Sequence, residues 1–260
     1  MRQTFYASLM LLFLSVVPIV HAQSGCTYAT LNGNYAFTIS GWATPPPKVL
    51  TEGKSSIPIA IVGVASFDGA GNWSTSFTYS HDGDISSGIE VPGTYAVNSN
   101  CTGTIAGAGD FSLVILSGGA DIIGVGTDKD TTSTLIATKQ DTSGCSNTTL
   151  TGNYAIRLTG FGTPPAQPVP ANSSVPVALA GVATFDAGNF SVTFTRSHNG
   201  DISTSPSDVG SYSVNSDCTG IITDQTEGTN FATVIFAGGT EALGIETDNG
   251  TAVTFDLKKQ

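Results

Sequence analysis

GNWSTSFTYSHDGDISSGIEVPGTYAVNSNC, residues 71–101, returns as GNFSVTFTRSHNGDISTSPSDVGSYSVNSDC at residues 188–218. The two stretches align without a gap and agree at 17 of 31 positions. Such self-similarity marks an internal duplication, so the chain reads as two copies of one domain. The strand pattern Trp73–His81 breaks at Asp82-Gly83, and its counterpart breaks at Asn199-Gly200. Both dipeptides tolerate the positive φ that a two-residue turn demands, so each copy carries a hairpin at its centre.

Working outward, each copy opens with Leu-x-Gly-Asn-Tyr-Ala, at Leu31–Ala36 and Leu150–Ala155. Tyr35, Phe37 and Ile39 alternate with small or polar residues, as do Tyr154, Ile156 and Leu158, which predicts a half-buried strand. Proline-rich stretches follow, Thr44–Lys54 and Thr163–Asn172. Proline cannot donate to a sheet ladder, so these are loops, either solvated crossovers or lids over the end of a barrel. A long apolar strand comes next, Ser56–Phe67 and Ser174–Phe185. Further strands are predicted at Gly93–Asn98, Thr102–Ala106, Phe111–Ser117, Asp121–Thr127 and Thr131–Lys139, with equivalents from Gly210–Asn215 through Thr251–Lys258. No segment shows helical periodicity with caps. The fold class is therefore all-β: two tandem copies of a small antiparallel barrel of about eight strands, a closure that removes exposed edges. A β-sandwich is the alternative.

Arg2, the apolar run Leu9–Val20 and the small residue Ala22 form a secretory signal peptide over residues 1–22. The first β domain then spans 23–140, a polar linker 141–144, and the second β domain 145–260; so short a linker puts the domains in contact. Each copy holds every strand signal and its own cysteine pair, so each is expected to fold as a unit. The protein is expected to be secreted or periplasmic, with no membrane span. Loss of Arg2 moves the net charge from −11 to −12, and such acidity repels nucleic acid. The four cysteines fall two per copy, at matching positions, in a chain bound for an oxidising compartment. That predicts disulfides Cys26–Cys101 and Cys145–Cys218. On the chain-entropy model each would stabilise by about 4 kcal/mol.

The run Gly-Thr-Tyr-Ala-Val-Asn-Ser-Asn-Cys-Thr-Gly-Thr at 93–104 is distinctive, as are Val64–Asn72 and Leu31–Tyr35. Together they resemble a group of exported bacterial repeat proteins of unknown function, and the likeness covers both copies. That group is similar in outline to the barrels of allene oxide cyclase, dirigent and lipocalin proteins. The resemblance implies a barrel and carries no site residues.

Nucleophile-elbow, zinc-protease and P-loop patterns are missing from the sequence, and no catalytic residue, cofactor or metal is assigned. The mature chain has two histidines, His81 and His198, at equivalent positions. Each flanks a hairpin turn opposite an aspartate, Asp84 or Asp201, which makes these four the candidate binding residues. The neighbouring carboxylate is expected to raise each histidine pKa above ~6.5. The turn pair either pins the hairpin or presents a dyad at a barrel rim. The aromatics Tyr35, Phe37, Phe67, Trp73, Phe77, Tyr95 and Phe111 sit at strand spacing, as core or as the lining of an apolar pocket. Two functions follow. One is an exported, non-enzymatic structural or binding protein with a cell-surface partner; the other is a barrel that binds or isomerises a small apolar molecule.

Overall fold

The computed structural model describes residues 25–43, 57–107, 109–129, 131–141, 144–162 and 175–260. Residues 1–22, read above as a signal peptide, and both proline-rich segments, read as crossovers or lids, lie outside the described residues. The first copy forms β1 (Asn32–Ala43), β2 (Ile57–Asp68), β3 (Asn72–His81), β4 (Asp84–Val97), β5 (Thr102–Ala106), β6 (Phe111–Leu116), β7 (Asp121–Gly126) and β8 (Thr132–Lys139). The second forms β9 (Gly152–Gly162), β10 (Val175–Asp186), β11 (Asn189–His198), β12 (Asp201–Val214), β13 (Thr219–Asp224), β14 (Asn230–Phe236), β15 (Glu241–Glu246) and β16 (Ala252–Lys259). Every neighbouring pair is antiparallel. Strand β1 bonds to both β2 and β8, and β9 to both β10 and β16, so each copy closes into an eight-stranded barrel. Closure sets the sandwich aside.

One strand is longer than its sequence suggests. The pattern places a strand at Gly93–Asn98, whereas β4 begins at Asp84. A bulge hides the first half: Ser87 and Gly88 together face the single residue Thr78, and Gly88 takes a φ of +67°. The second barrel bulges one position along, where Ser205 and Pro206 face Phe194, the counterpart of Phe77. There Ser205 holds a φ of +58° without the freedom of glycine.

Up-and-down order sends the turns at 69–71, 98–101 and 117–120 to one end of the first barrel. That end is closed. The Tyr35 hydroxyl donates to the Gly119 carbonyl at 2.6 Å, and the Tyr95 hydroxyl reaches the Tyr28 and Leu31 carbonyls at 3.0 Å each. Phe67 packs edge-on against both tyrosine rings. The Cys26–Cys101 disulfide staples the incoming chain over the same end. The second barrel repeats the plug with Tyr154, Tyr212, Phe185 and the Cys145–Cys218 disulfide. The disulfides pair as the sequence predicts.

The barrels touch along their outer walls. Outward residues of β1 and β2 (Ala36, Ala60, Val62) share a buried cluster with Val234, Phe236, Ile245 and Ala252 of the second barrel. Polar contacts frame it. The Ser80 hydroxyl donates to the Thr251 carbonyl, and Gln140 Nε2 donates to the Ile235 carbonyl at 3.0 Å. Trp42 and Phe161 meet edge to face at 4.8 Å. This explains why β2 reads as a nearly continuous apolar run: one face lines the barrel and the other packs on its twin.

A left-handed backbone costs a non-glycine residue roughly 1–2 kcal/mol. Ser205→Gly is therefore expected to stabilise the protein by about 1 kcal/mol, and Gly88→Ala to destabilise it by a similar amount. Thermal unfolding of the two variants checks this. A loss of stability in Ser205→Gly would contradict it.

Candidate functional site

With one end plugged, the space left in the first barrel lies toward its other end. There β1 leaves at Ala43, the hairpin turns at 82–83, β5 ends at Ala106 and β7 at Gly126. An internal cavity of about 200 Å³ occupies this half. Its wall is apolar, built by strand alternation from inward residues such as Phe37, Ile61, Phe77, Phe111 and Leu135. Trp73 and Phe67 form the floor toward the plug. The mouth is polar, with His81, Asp128, Thr131 and Ser133.

His81 reaches the mouth because it is the last inward position of β3, paired with Ile59 of β2. Its ring lies against Tyr79, centroids 4.6 Å apart. Asp84 is opposite in register but stays exposed at the rim, and neither a hydrogen bond nor an ion pair joins the two side chains. Burial holds the His81 imidazole below its ordinary value of 6.5, and the Asp84 carboxylate offsets only part of that. This corrects the sequence expectation of a raised value. The expectation assumed a solvated pair at a turn, where the carboxylate would dominate; the ring instead lies in the barrel mouth, where desolvation dominates. Neutral imidazole is therefore the ground state, and the sign of the linkage reverses. The associated stability is present above pH 6.5 and is lost as pH falls through the lowered pKa.

Asp128 has other work. Its Oδ2 accepts the Asp110 backbone N–H at 2.8 Å, and Asp248 does the same for Asn230 in the second barrel at 2.6 Å. Both fix the crossing of two loops.

The second barrel keeps the plan and changes the chemistry. Its cavity is smaller, about 110 Å³, and its open half is lined by Arg196, Asp208, Asp224, Glu227 and Glu246. Arg196 Nη1 pairs with Glu227 Oε1 at 2.5 Å. Asp208 has Asp224 as a neighbour, a second carboxyl that opposes its ionisation. Burial first, then Asp224 and Glu227, push Asp208 up to about 6. Burial first, then Asp248 and Glu227, push Glu246 up to about 7. Of the candidate pair in this copy, His198 and Asp201 sit opposite in register, as His81 and Asp84 do. His198 does not line the cavity, its Nε2 is buried without a hydrogen-bond partner, and Asp201 is exposed.

Sequence reasoning missed these carboxylates because it weighed shared residues and passed over divergent ones. Where the second copy has Arg196, Asp208, Asp224 and Glu246, the first has Tyr79, Val91, Gly107 and Gly126. Four charges at equivalent strand positions of one copy were the available signal. Among the described residues, no group of acids, histidines and cysteines is arranged to hold a metal ion.

A carboxyl raised in the folded state stabilises below its unfolded pKa and loses that contribution as pH rises through the folded one. The window runs from about 4.5 to about 7 for Glu246. Glu246→Gln is expected to raise stability at pH above that window by ~1–2 kcal/mol, allowing for solvent relaxation, and to flatten the pH profile. Denaturant unfolding across the pH range measures it; an unchanged profile would contradict the assignment.

Comparison of the chain with protein-family models and with curated proteins gave no match in either case.

Proposed function

We propose that the first barrel binds a small, largely apolar molecule carrying one hydrogen-bond donor. The protein then acts as an exported binding protein rather than an enzyme. The cavity carries this reading: about 200 Å³, apolar-walled, plugged at one end and polar at the other. An apolar cavity of ~150 Å³ suffices for benzene, so the ligand has the size of a substituted ring or a short branched chain. Neutral His81 at the mouth supplies an acceptor for the ligand's donor.

Binding is favoured over isomerisation by what surrounds His81. Acid–base chemistry needs a second proton-transfer group within reach of the ligand. The one carboxylate among the described lining residues, Asp128, is engaged by the Asp110 backbone. Export fits the two disulfides, and no helix among the described residues is long and apolar enough to cross a membrane.

Calorimetry with p-cresol and toluene as probes tests the proposal. Both should bind the wild-type protein. Ala65→Leu, which adds a larger side chain to the cavity wall, should abolish binding of both. His81→Ala should weaken p-cresol about tenfold, the worth of one hydrogen bond, and leave toluene unchanged. Wild-type affinity for p-cresol should fall once pH drops below 6.5, as the imidazole becomes protonated. Failure of both probes to bind, or unchanged binding in Ala65→Leu, would refute the site.

A further inference from the structure

The contact between the two barrels is heterologous: it uses different faces of what is one fold. The first barrel contributes the outward side of β1 and β2, namely Ala36, Ala60, Val62 and, partly buried, Val64. The second contributes the outward side of β14 and β15, namely Val234, Phe236, Ile245 and, partly buried, Ala232 and Leu243; of these five, Ala232 has a polar counterpart on the first barrel, Ser112. Duplication means that each face exists twice, so one copy of each is left uncovered.

Both uncovered faces have kept the character of a contact surface. The counterparts of Val234, Phe236, Leu243 and Ile245 on the first barrel are Val114, Leu116, Ile123 and Val125. All four are apolar, point outward and stand open: Val114 is 42 % and Val125 49 % exposed, where Val234 and Ile245 are 2 % and 0 %. The counterparts of Ala36, Ala60, Val62 and Val64 on the second barrel are Ala155, Ala178, Ala180 and Val182, again small and apolar and all exposed. Eight outward positions that need not be apolar on an isolated barrel are apolar in both copies.

The free face of the first barrel is also continuous with the existing contact. Val114 pairs with Ile123, Ile123 with Ile136, Ile136 with Thr38, and Thr38 with Val62. One ladder row therefore runs from the open patch straight into the buried interface. The centres of the two faces, β7 and β2, lie three strand steps apart in the eight-stranded ring, so both can be occupied at once.

We infer that a second copy of this chain docks there. The β9–β10 face of one molecule covers the β6–β7 face of the next and repeats the operation that joins the two barrels within a chain. A heterologous contact of this kind does not stop at two; it builds a head-to-tail series of barrels. One feature makes the contact between chains weaker than the one within them. In the same ladder row the second barrel replaces Thr38 and Ile136 with Arg157 and Asp256, an ion pair at 2.7 Å in the middle of the docking face. Docking must desolvate or displace that pair, and a charge on such a surface restrains assembly. The association is therefore concentration-dependent.

Sedimentation velocity of the mature chain, from micromolar to near-millimolar, tests the inference. The weight-average mass should rise with concentration. Replacing the ion pair by the residues of the first barrel, Arg157→Thr with Asp256→Ile, should tighten association at least tenfold. Ile123→Lys on one face and Ala180→Lys on the other should each give monomers. An equimolar mixture of those two variants should give one-to-one dimers and nothing larger, because each retains the face that the other has lost. Both positions are solvent-facing, and a cooperative melt confirms that each variant folds. A wild-type mass that does not change with concentration overturns the proposal. So does loss of assembly in Ile123→Lys alone, which would mean that the patch pairs with itself. So does a mixture of the two lysine variants that stays monomeric.

Discussion

The Tyr35 hydroxyl bonded to the Gly119 carbonyl at 2.6 Å, with its twin from Tyr154 to Gly239 at 2.5 Å, fixes where each barrel is full and where it is open. An eight-stranded barrel has an interior just wide enough to be filled by side chains or to hold one small ligand. Here the filling is concentrated at one end. Both tyrosine hydroxyls reach backbone carbonyls, around a central phenylalanine and under the disulfide-held N-terminal segment, so that end is both dense and hydrogen-bonded. The Tyr35 hydroxyl is correspondingly hard to ionise, pushed up to about 12 chiefly by burial. With the plug in place, the turns and connections at the other end are free to vary.

They have varied in opposite directions. The first barrel has the uncharged residues Tyr79, Val91, Gly107 and Gly126 where the second is charged, and it leaves the larger space. The second carries an arginine and three carboxyls at those positions, with Glu227 beside them, and two of the carboxyls are hard to ionise at their site. On the outside the divergence is smaller and runs the other way. The apolar faces persist in both copies; the β9–β10 face of the second barrel differs from the β1–β2 face of the first by Ala180 in place of Val62 and by the charged Arg157–Asp256 pair. The duplication thus separates interior chemistry, which has diversified, from exterior contact, which has been kept.

Much of the fold was legible in the sequence. Period-two alternation gave the strands, Asp82-Gly83 and Asn199-Gly200 gave the hairpins, and matched cysteines gave the disulfides. The first half of β4 was not, because Gly88 and Pro92 break the alternation while the bulge absorbs the break in three dimensions. The site was legible only in part. Strand spacing put Phe37, Phe67, Trp73, Phe77 and Phe111 on the inner face and left open whether they meet or leave a space; that depends on how the plug packs, which no local pattern records. His81 was picked out for its place beside Asp84, but its titration follows from the barrel mouth around it, and the sign came out reversed. The carboxyls of the second barrel lie far apart in sequence, and closure alone brings them together.

The most direct test of this account is a crystal of residues 23–260 exposed to xenon under pressure. Xenon occupies dry apolar cavities and avoids charged ones. The account predicts a well-occupied site inside the first barrel, among Phe37, Ile61, Phe77 and Leu135, with much lower occupancy beside the carboxyls of the second. An interior in the first barrel that takes up no xenon, or equal occupancy in both barrels, would contradict it.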